Sequence, residues 1–376
     1  MRRAIVIVLD GCGAGAAPDV EAFGDSPTSN TLLNTWKAVG GFDAPLLDAL
    51  GFLAPAGISR REPLIGRCGR LRPLSMGKDS VTGHWEMMGA IVERAFPTYP
   101  NGFPISVIKA FERAIGRQTL GNRAESGTEI IARLGQQHVE TGAPIVYTSA
   151  DSVFQIAAHE DVIPIEQLYE ICRMARELLK APNNVQRVIA RPFVGNAKDG
   201  FTRTGNRKDF PLAPPPNLVD QIGDVVGIGV VPELFDGRGF RPGRRTQSNP
   251  EHEAALLEAL ATDARFIFAN FEDFDMLYGH RNDVEGFARC LERFDAYLGS
   301  LIPRLGSDDL LILTSDHGND PTTPSTDHSR EYVPVAAFHA GIESAELGDL
   351  DGLAAVGQAV AVWLGALGHE SSQLLA

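Results

Sequence analysis

The run "AIVIVLD", residues 4–10, packs six apolar residues, rich in β-branched types, against a closing acid. Two arginines precede it, as in a secretory leader, but about six apolar residues are too few for a leader's core. A continuous β-branched run instead fits a strand buried on both faces of a parallel sheet. Two later stretches repeat the pattern, "RFIFANFEDFD" (265–275) and "DLLILTSDHGND" (309–320). Helical periodicity lies around them, at 251–264, 286–305 and 351–367. Strand and helix in alternation predict an α/β fold with a largely parallel central sheet and helices on both faces. Ligands of such sheets bind outside the carboxyl ends of the strands. Asp10, Asp275 and Asp316 all fall at those ends.

The 376 residues are enough for roughly two domains. From about 97 to 215 the chain is richer in Pro, Gly and Arg and ends in the stiff connector "FPLAPPPN". We therefore expect a smaller domain, 97–215, inserted into a core formed by 1–96 and 216–376. The net charge of −14 argues against a nucleic-acid partner, which needs clustered cations, but not against a small phosphorylated substrate. No segment approaches the roughly 18 apolar residues of a membrane span. Four well-separated cysteines, with no CxxC spacing, read as free thiols in a reducing compartment, hence the cytoplasm.

The chemistry-bearing residues cluster late. Asp275 and His280 are five apart, Asp316 and His317 adjacent, and His328 follows in "STDHSRE". With Asp10 they make three carboxylates and three imidazoles. Mixed oxygen and nitrogen donors suit Zn, Mn or Fe, and six ligands are enough for two ions. Two ions about 4 Å apart can activate a nucleophile and clamp a phosphoryl group. His138, His159, His252, His339 and His369 are read as structural. A nucleophile is available in "GKDSVTGHWEMMG" (77–89), where Thr82 stands before a glycine at the start of a predicted helix. Thr82 could simply cap that helix. Beside a metal its hydroxyl would be acidified, and a helix start offers N–H donors to phosphate.

The motifs "LDGCGAGAAPD", "GKDSVTGHWEMMG", "VYTSADSVFQIAAHE", "IARPFVG", "FTRTGNRKDF", "DFDMLYGHRND" and "TSDHGNDPTTPSTDHSREYVP" together resemble the phosphopentomutase family of the alkaline phosphatase superfamily. The likeness runs in order over nearly the whole chain. It implies an alkaline-phosphatase-like core carrying an inserted α/β cap, and interconversion of ribose 1-phosphate and ribose 5-phosphate, or their deoxyribose counterparts. It implies two Mn ions and a sugar bisphosphate, such as glucose 1,6-bisphosphate, as activator. Residue by residue, Thr82 would carry phosphate. Asp10, Asp316 and His317 would bind one metal together with Thr82, and Asp275, His280 and His328 the other. The cap would close over the sugar and exclude water. Arg191 and Arg207 would grip the distal phosphate, and Asp151 the sugar hydroxyls. The partner is thus a small phosphosugar; the oligomeric state is left open.

The chain departs from the family at two positions: Val230 and Gln247 stand where lysine is usual. Losing a phosphate-binding ammonium costs roughly 1.5–3 kcal/mol, and Arg244 and Arg245 are the neighbouring cations that could compensate. This leaves the sugar open. A metal-dependent phosphomonoesterase, or a mutase of another phosphosugar, is the alternative to a pentose mutase.

Overall fold

The computed structural model describes residues 1–149, 151–366 and 371–375. The chain divides into two compact units, Met1–Arg94 with Pro214–Ala376, and Ala95–Ala213. Strands are numbered β1 to β13 in chain order.

The larger unit is built on a seven-stranded sheet of β1 (Arg3–Leu9), β2 (Arg67–Arg72), β9 (Val226–Ile228), β10 (Phe266–Phe271), β11 (Asp309–Thr314), β12 (Val333–Phe338) and β13 (Ala345–Asp351). Their spatial order is β13-β2-β12-β11-β1-β10-β9. β1 pairs in parallel with both β10 and β11, and β10 with β9, while β12 is the one strand running against its neighbours. The apolar run that opens the chain is therefore the central strand, and Ala4 to Leu9 are wholly buried. On one face Ile5, Ile7 and Leu9 join Ile267, Leu311 and the inner side of helix Val284–Leu301 in a single core. Helix Ala354–Leu364 packs on β1 as well.

The helices differ from the sequence expectation at their ends. The first, expected over 251–264, spans Asn249–Leu260, with Pro250 in its first turn. The second spans Val284–Leu301 and tightens into a 3-10 turn over Ile302–Arg304. The last begins at Ala354, because Asp351 is still paired to Arg72 in the edge strand, and ends before Gly365. Leu367 and His369 lie outside the described residues.

The smaller unit has its own sheet, β3-β4-β5-β6-β7, with β8 also paired to β6. The strands are Leu120–Ala124, Ile145–Thr148, Val153–His159, Arg187–Asn196, Gly200–Arg203 and Lys208–Pro211. Phe154, Ile156 and Ala158 of β5 face helices Ile105–Ile115 and Ile165–Leu178, while Ala157 faces Ile130 and Ile131 of helix Gly127–Thr141. Period-two alternation along β5 thus feeds two apolar layers.

Candidate metal centre and active site

Three parallel strands deliver the acids. Asp10 follows β1 directly, Asp316 lies two residues past β11, and Asp275 sits in a π-helical turn (Phe274–Tyr278) beyond β10. Parallel pairing in register makes these ends adjacent, and the loops bring the histidines in. His317 Nε2 stands 3.4 Å from both Asp10 Oδ1 and Asp316 Oδ2. Asp275 holds His280 Nε2 at 3.0 Å and His328 Nε2 at 3.5 Å. The His317 and His328 rings lie 3.9 Å apart between centroids.

Among the described residues, two groups of donor atoms each lie within 4.8 Å of one another: Asp10, Asp316 and His317; and Asp275, His317 and His328. His317 thus stands between the two groups, and His280 reaches the second through Asp275. Gly11, at φ 76°, turns the chain sharply after Asp10 where a side chain would press on Asp275 and Asn319. Its N–H donates to Asp316 Oδ1 at 3.1 Å.

The electrostatics of the cluster call for cations. Asp10 Oδ1 and Asp316 Oδ2 are buried and accept no hydrogen bond from the described residues. Burial, then the charges of Asp316 and Asp275, push the Asp10 carboxyl well above its ordinary range. Burial would also raise Asp275, but hydrogen bonds with His280 and His328 hold it well below that range. His328 is drawn down by burial yet lifted to about 9 by its bond to Asp275. Buried carboxylate oxygens without donors, at van der Waals reach of imidazole nitrogens, fit metal binding. The donor set, three carboxylates and three imidazoles, suits a transition-metal divalent ion such as Zn, Mn or Fe, whereas Mg and Ca favour an all-oxygen shell.

Supporting amides complete the carboxylates. Asn270, inside β10, donates to Asp10 Oδ2 at 2.6 Å, and Asn319 donates to Asp275 Oδ1 at 2.6 Å. His84 lies behind Asp316, 3.5 Å from Oδ2, with Nδ1 2.8 Å from the Ser80 carbonyl. Glu331 is buried and accepts from Thr31 N and Oγ1 (2.9 and 2.8 Å), Ser329 Oγ (2.7 Å) and Gly15 N (3.2 Å). Thr31 Oγ1 in turn accepts from Asn319 N at 3.1 Å. Sequence reasoning missed these residues. Asn270 alone left a signal, as a polar residue within "FIFANF".

Thr82 is the third residue of helix Ser80–Met87, whose N-cap is Asp79. The Thr82 hydroxyl takes part in a capping box: Oγ1 accepts from Asp79 N at 3.4 Å, while Asp79 Oδ1 accepts from Thr82 N at 3.2 Å. The single hydroxyl proton has the Asp79 carbonyl at 2.9 Å and Oδ2 at 3.2 Å within reach. Asp79 is therefore the cap, and Thr82 its reciprocal partner. Gly83 explains the motif's next position: a Cβ there would lie 2.5 Å from the Asp316 carbonyl oxygen, so only glycine lets the helix start press against that ligand loop. Ser80 Oγ lies 3.2 Å from His317 Nε2. The helix carrying Thr82 is thus seated on the residues that form the first donor group.

In the smaller unit, Arg191 donates through Nε to Gln155 at 3.0 Å, and Arg207 forms a two-pronged pair with Asp209, 2.8 Å on each prong. Burial and the neighbouring Arg207 lower the Arg191 pKa. Among the described residues the buried Tyr147 hydroxyl finds no hydrogen-bond partner; burial raises its pKa, against the charges of Arg191, Arg203 and Arg207, which lower it. Asp151 is exposed in the turn before β5. Back in the larger unit, Gly229 N bonds Thr246 Oγ1 at 3.1 Å and Val230 N bonds Glu272, which places the loops of Val230 and Gln247 side by side. Of the neighbouring cations, Arg245 is engaged by Glu233 at 3.0 Å.

Residues 242–366 match the family described as the metalloenzyme superfamily. The chain is 50% identical over 358 residues to a phosphopentomutase of Carboxydothermus hydrogenoformans, covering 93% of this chain and 92% of that one. It is 51% identical over 347 residues to a phosphopentomutase of Dictyoglomus turgidum, covering 90% and 88%. Among solved structures, a protein of Pyrococcus horikoshii shares the fold at 17% identity and a TM-score of 0.51, covering 97% of both chains. Identity at this level over nine-tenths of the chain goes far beyond a shared fold, and the chain belongs to the phosphopentomutase family, isomerases of the alkaline phosphatase superfamily.

Proposed function

We propose that the protein interconverts ribose 1-phosphate and ribose 5-phosphate, or their deoxyribose counterparts, by phosphoryl transfer through Thr82. The observation that carries this reading is the seating of the Thr82 helix, through Gly83 and Ser80, against Asp316 and His317. In this reading Thr82 Oγ1 starts phosphorylated. The P–O bond to Thr82 breaks as the free hydroxyl of the bound pentose phosphate attacks and gives up its proton, so a sugar bisphosphate forms. Thr82 Oγ1 then attacks the other phosphate, which returns to the enzyme and frees the isomeric product. A sugar bisphosphate such as glucose 1,6-bisphosphate would load Thr82 initially.

Asp10, Asp316 and His317 would hold one divalent ion, and Asp275, His280 and His328 a second, with Mn the ion proposed. Such ions supply charge neutralisation of the phosphoryl oxygens and acidify a bound hydroxyl. Phosphate on Thr82 requires its hydroxyl to leave Asp79, whose carboxylate would repel it, while the N–H groups of the helix start favour an anion. Arg191, Arg207 and Asp151 are proposed as substrate-binding residues of the smaller unit; the guanidinium groups around the Tyr147 hydroxyl support an anion there. Four buried free thiols support a cytoplasmic location.

The test follows ribose 1-phosphate and free phosphate together by phosphorus NMR. Mn-loaded protein is primed with glucose 1,6-bisphosphate and given ribose 5-phosphate. Isomer without free phosphate is expected. Free phosphate alone would replace the mutase by a phosphomonoesterase, and turnover only of other phosphosugars would point to Val230 and Gln247.

A further inference from the structure

Arg330 is a buried cation that the reaction as described does not use. It lies two residues beyond His328, with 2% of its surface exposed. A guanidinium carries five N–H groups, and all five are engaged. Nε and one Nη2 proton go to the two oxygens of Asp19 at 3.0 and 2.9 Å. The other Nη2 proton goes to the Pro73 carbonyl at 2.9 Å, and Nη1 donates to the Ser75 and Gly77 carbonyls at 2.7 Å each. The Phe23 ring covers the guanidinium at 4.3 Å.

The three carbonyls alternate along one edge of the strap Pro73–Asp79, which leads into the Thr82 helix. The other edge is held by a buried carboxyl group. Glu86, on the Thr82 helix itself, accepts from Leu74 N (2.9 Å) and Ser75 N (2.6 Å). Farther along the strap, Lys78 bonds Asp25 at 2.7 Å and Asp327 at 3.2 Å, and Asp25 also accepts from Arg330 N at 2.8 Å. Glu86 therefore ties the strap to its own helix, while Arg330 ties strap and helix together to the loop that presents His328.

We infer that Arg330 is a positioning residue for phosphoryl transfer, fixing the Thr82 hydroxyl in register with the metal-ligand loop. The inference rests on the phospho-threonine reading above. The two anchors divide the labour: without Arg330, strap and helix stay joined through Glu86, and the ligands Asp10, Asp275, Asp316 and the histidines keep their own supports. What is lost is the five-bond tie between strap and loop, which leaves the partly exposed Lys78–Asp327 pair and the Ser80 and Gly83 contacts to hold the nucleophile in line, less tightly. Lysine cannot restore it, because three donors on a tetrahedral nitrogen cannot serve five acceptors arranged about a plane.

The experiment compares wild type, Arg330→Lys and Asp19→Asn as full-length, Mn-loaded proteins. Phosphothreonine formed on mixing with glucose 1,6-bisphosphate is timed by quenched-flow intact-mass analysis, beside kcat and KM for ribose 5-phosphate, Mn affinity by EPR titration, and thermal unfolding. For Arg330→Lys we expect kcat and the Thr82 phosphorylation rate to fall together by about 100-fold, the scale of an ångström-level misplacement. KM and Mn affinity should stay within about twofold. Asp19→Asn, which alters a partly exposed partner and leaves the strap carbonyls their donors, should show a smaller loss of the same kind. A purely structural role would lower the unfolding temperature but leave the phosphorylation rate of folded, metal-loaded enzyme unchanged, and would overturn the inference. So would a loss of kcat matched by an equal loss of bound Mn. If Arg330→Lys does not fold, an unchanged rate in Asp19→Asn overturns it and a slowed rate at full Mn occupancy supports it. Wild type that never gains phosphothreonine would refute the underlying reading instead.

Discussion

Replacing Glu331 by glutamine isolates the cost of a buried charge beside the metal loops. Burial raises the Glu331 carboxyl from 4.5 to about 7, against hydrogen bonds from Ser329 and Thr31 that pull the other way. A carboxyl with a raised folded pKa binds its proton longer in the folded chain than in the unfolded one. The stability it contributes is complete below about pH 4.5 and is lost as pH rises through about 7. The gap corresponds to about 3 kcal/mol at most. Glutamine keeps the shape. Its oxygen can accept from Thr31 N and Gly15 N, and its amide can donate to the Thr31 and Ser329 hydroxyls, which reverse by rotation. Glu331→Gln should therefore match wild type near pH 5 and exceed it by about 2–3 kcal/mol near pH 8.5. Urea unfolding of both proteins in EDTA at the two pH values measures this, and the titrations of the metal ligands cancel in the difference. A difference that stays constant between pH 5 and 8.5 would refute the reasoning, since the four donors would then hold Glu331 ionised without cost.

Thr82→Ala should lower mutase kcat to background, on the order of a million-fold as for removal of a covalent nucleophile, at a stability cost of about 1 kcal/mol for the lost Asp79 bond. A coupled assay with thermal unfolding and Mn content checks both. Asn270→Ala removes the donor to Asp10 Oδ2 and should weaken Mn binding about 10- to 100-fold, read by EPR titration. His328, lifted to about 9, is protonated at pH 7.5 without metal, whereas a metal-bound imidazole must be neutral. Calorimetric Mn titrations in buffers of different ionisation enthalpy should therefore show net proton release at pH 7.5, and His328→Gln should release about one proton fewer.

Much of this protein is determined by local sequence. An uninterrupted β-branched run cannot cover its own faces, so "AIVIVLD" had to become the centre of a covered parallel sheet, and the acids at the ends of such runs had to meet at one edge. The candidate acids Asp10, Asp275 and Asp316, with His317 beside the last, were legible as a cluster for that reason, and Thr82 as a residue of a helix start. His280 and His328 stand in loops and were singled out only by the Asp residues near them in the sequence. Helix ends were less legible, because the last helix starts three residues late where Asp351 is held in the pairing of β13 with β2, a contact between positions about 280 residues apart. Tertiary structure alone decided that His317 stands between both donor groups, that Asp79 and not Thr82 caps the helix, and that Glu331, Asn319 and Arg330 hold the loops in place. A short motif carries no record of which distant carbonyl or amide a buried polar side chain will find. That pairing is settled only when the folded chain excludes water and each buried donor and acceptor must be satisfied from within.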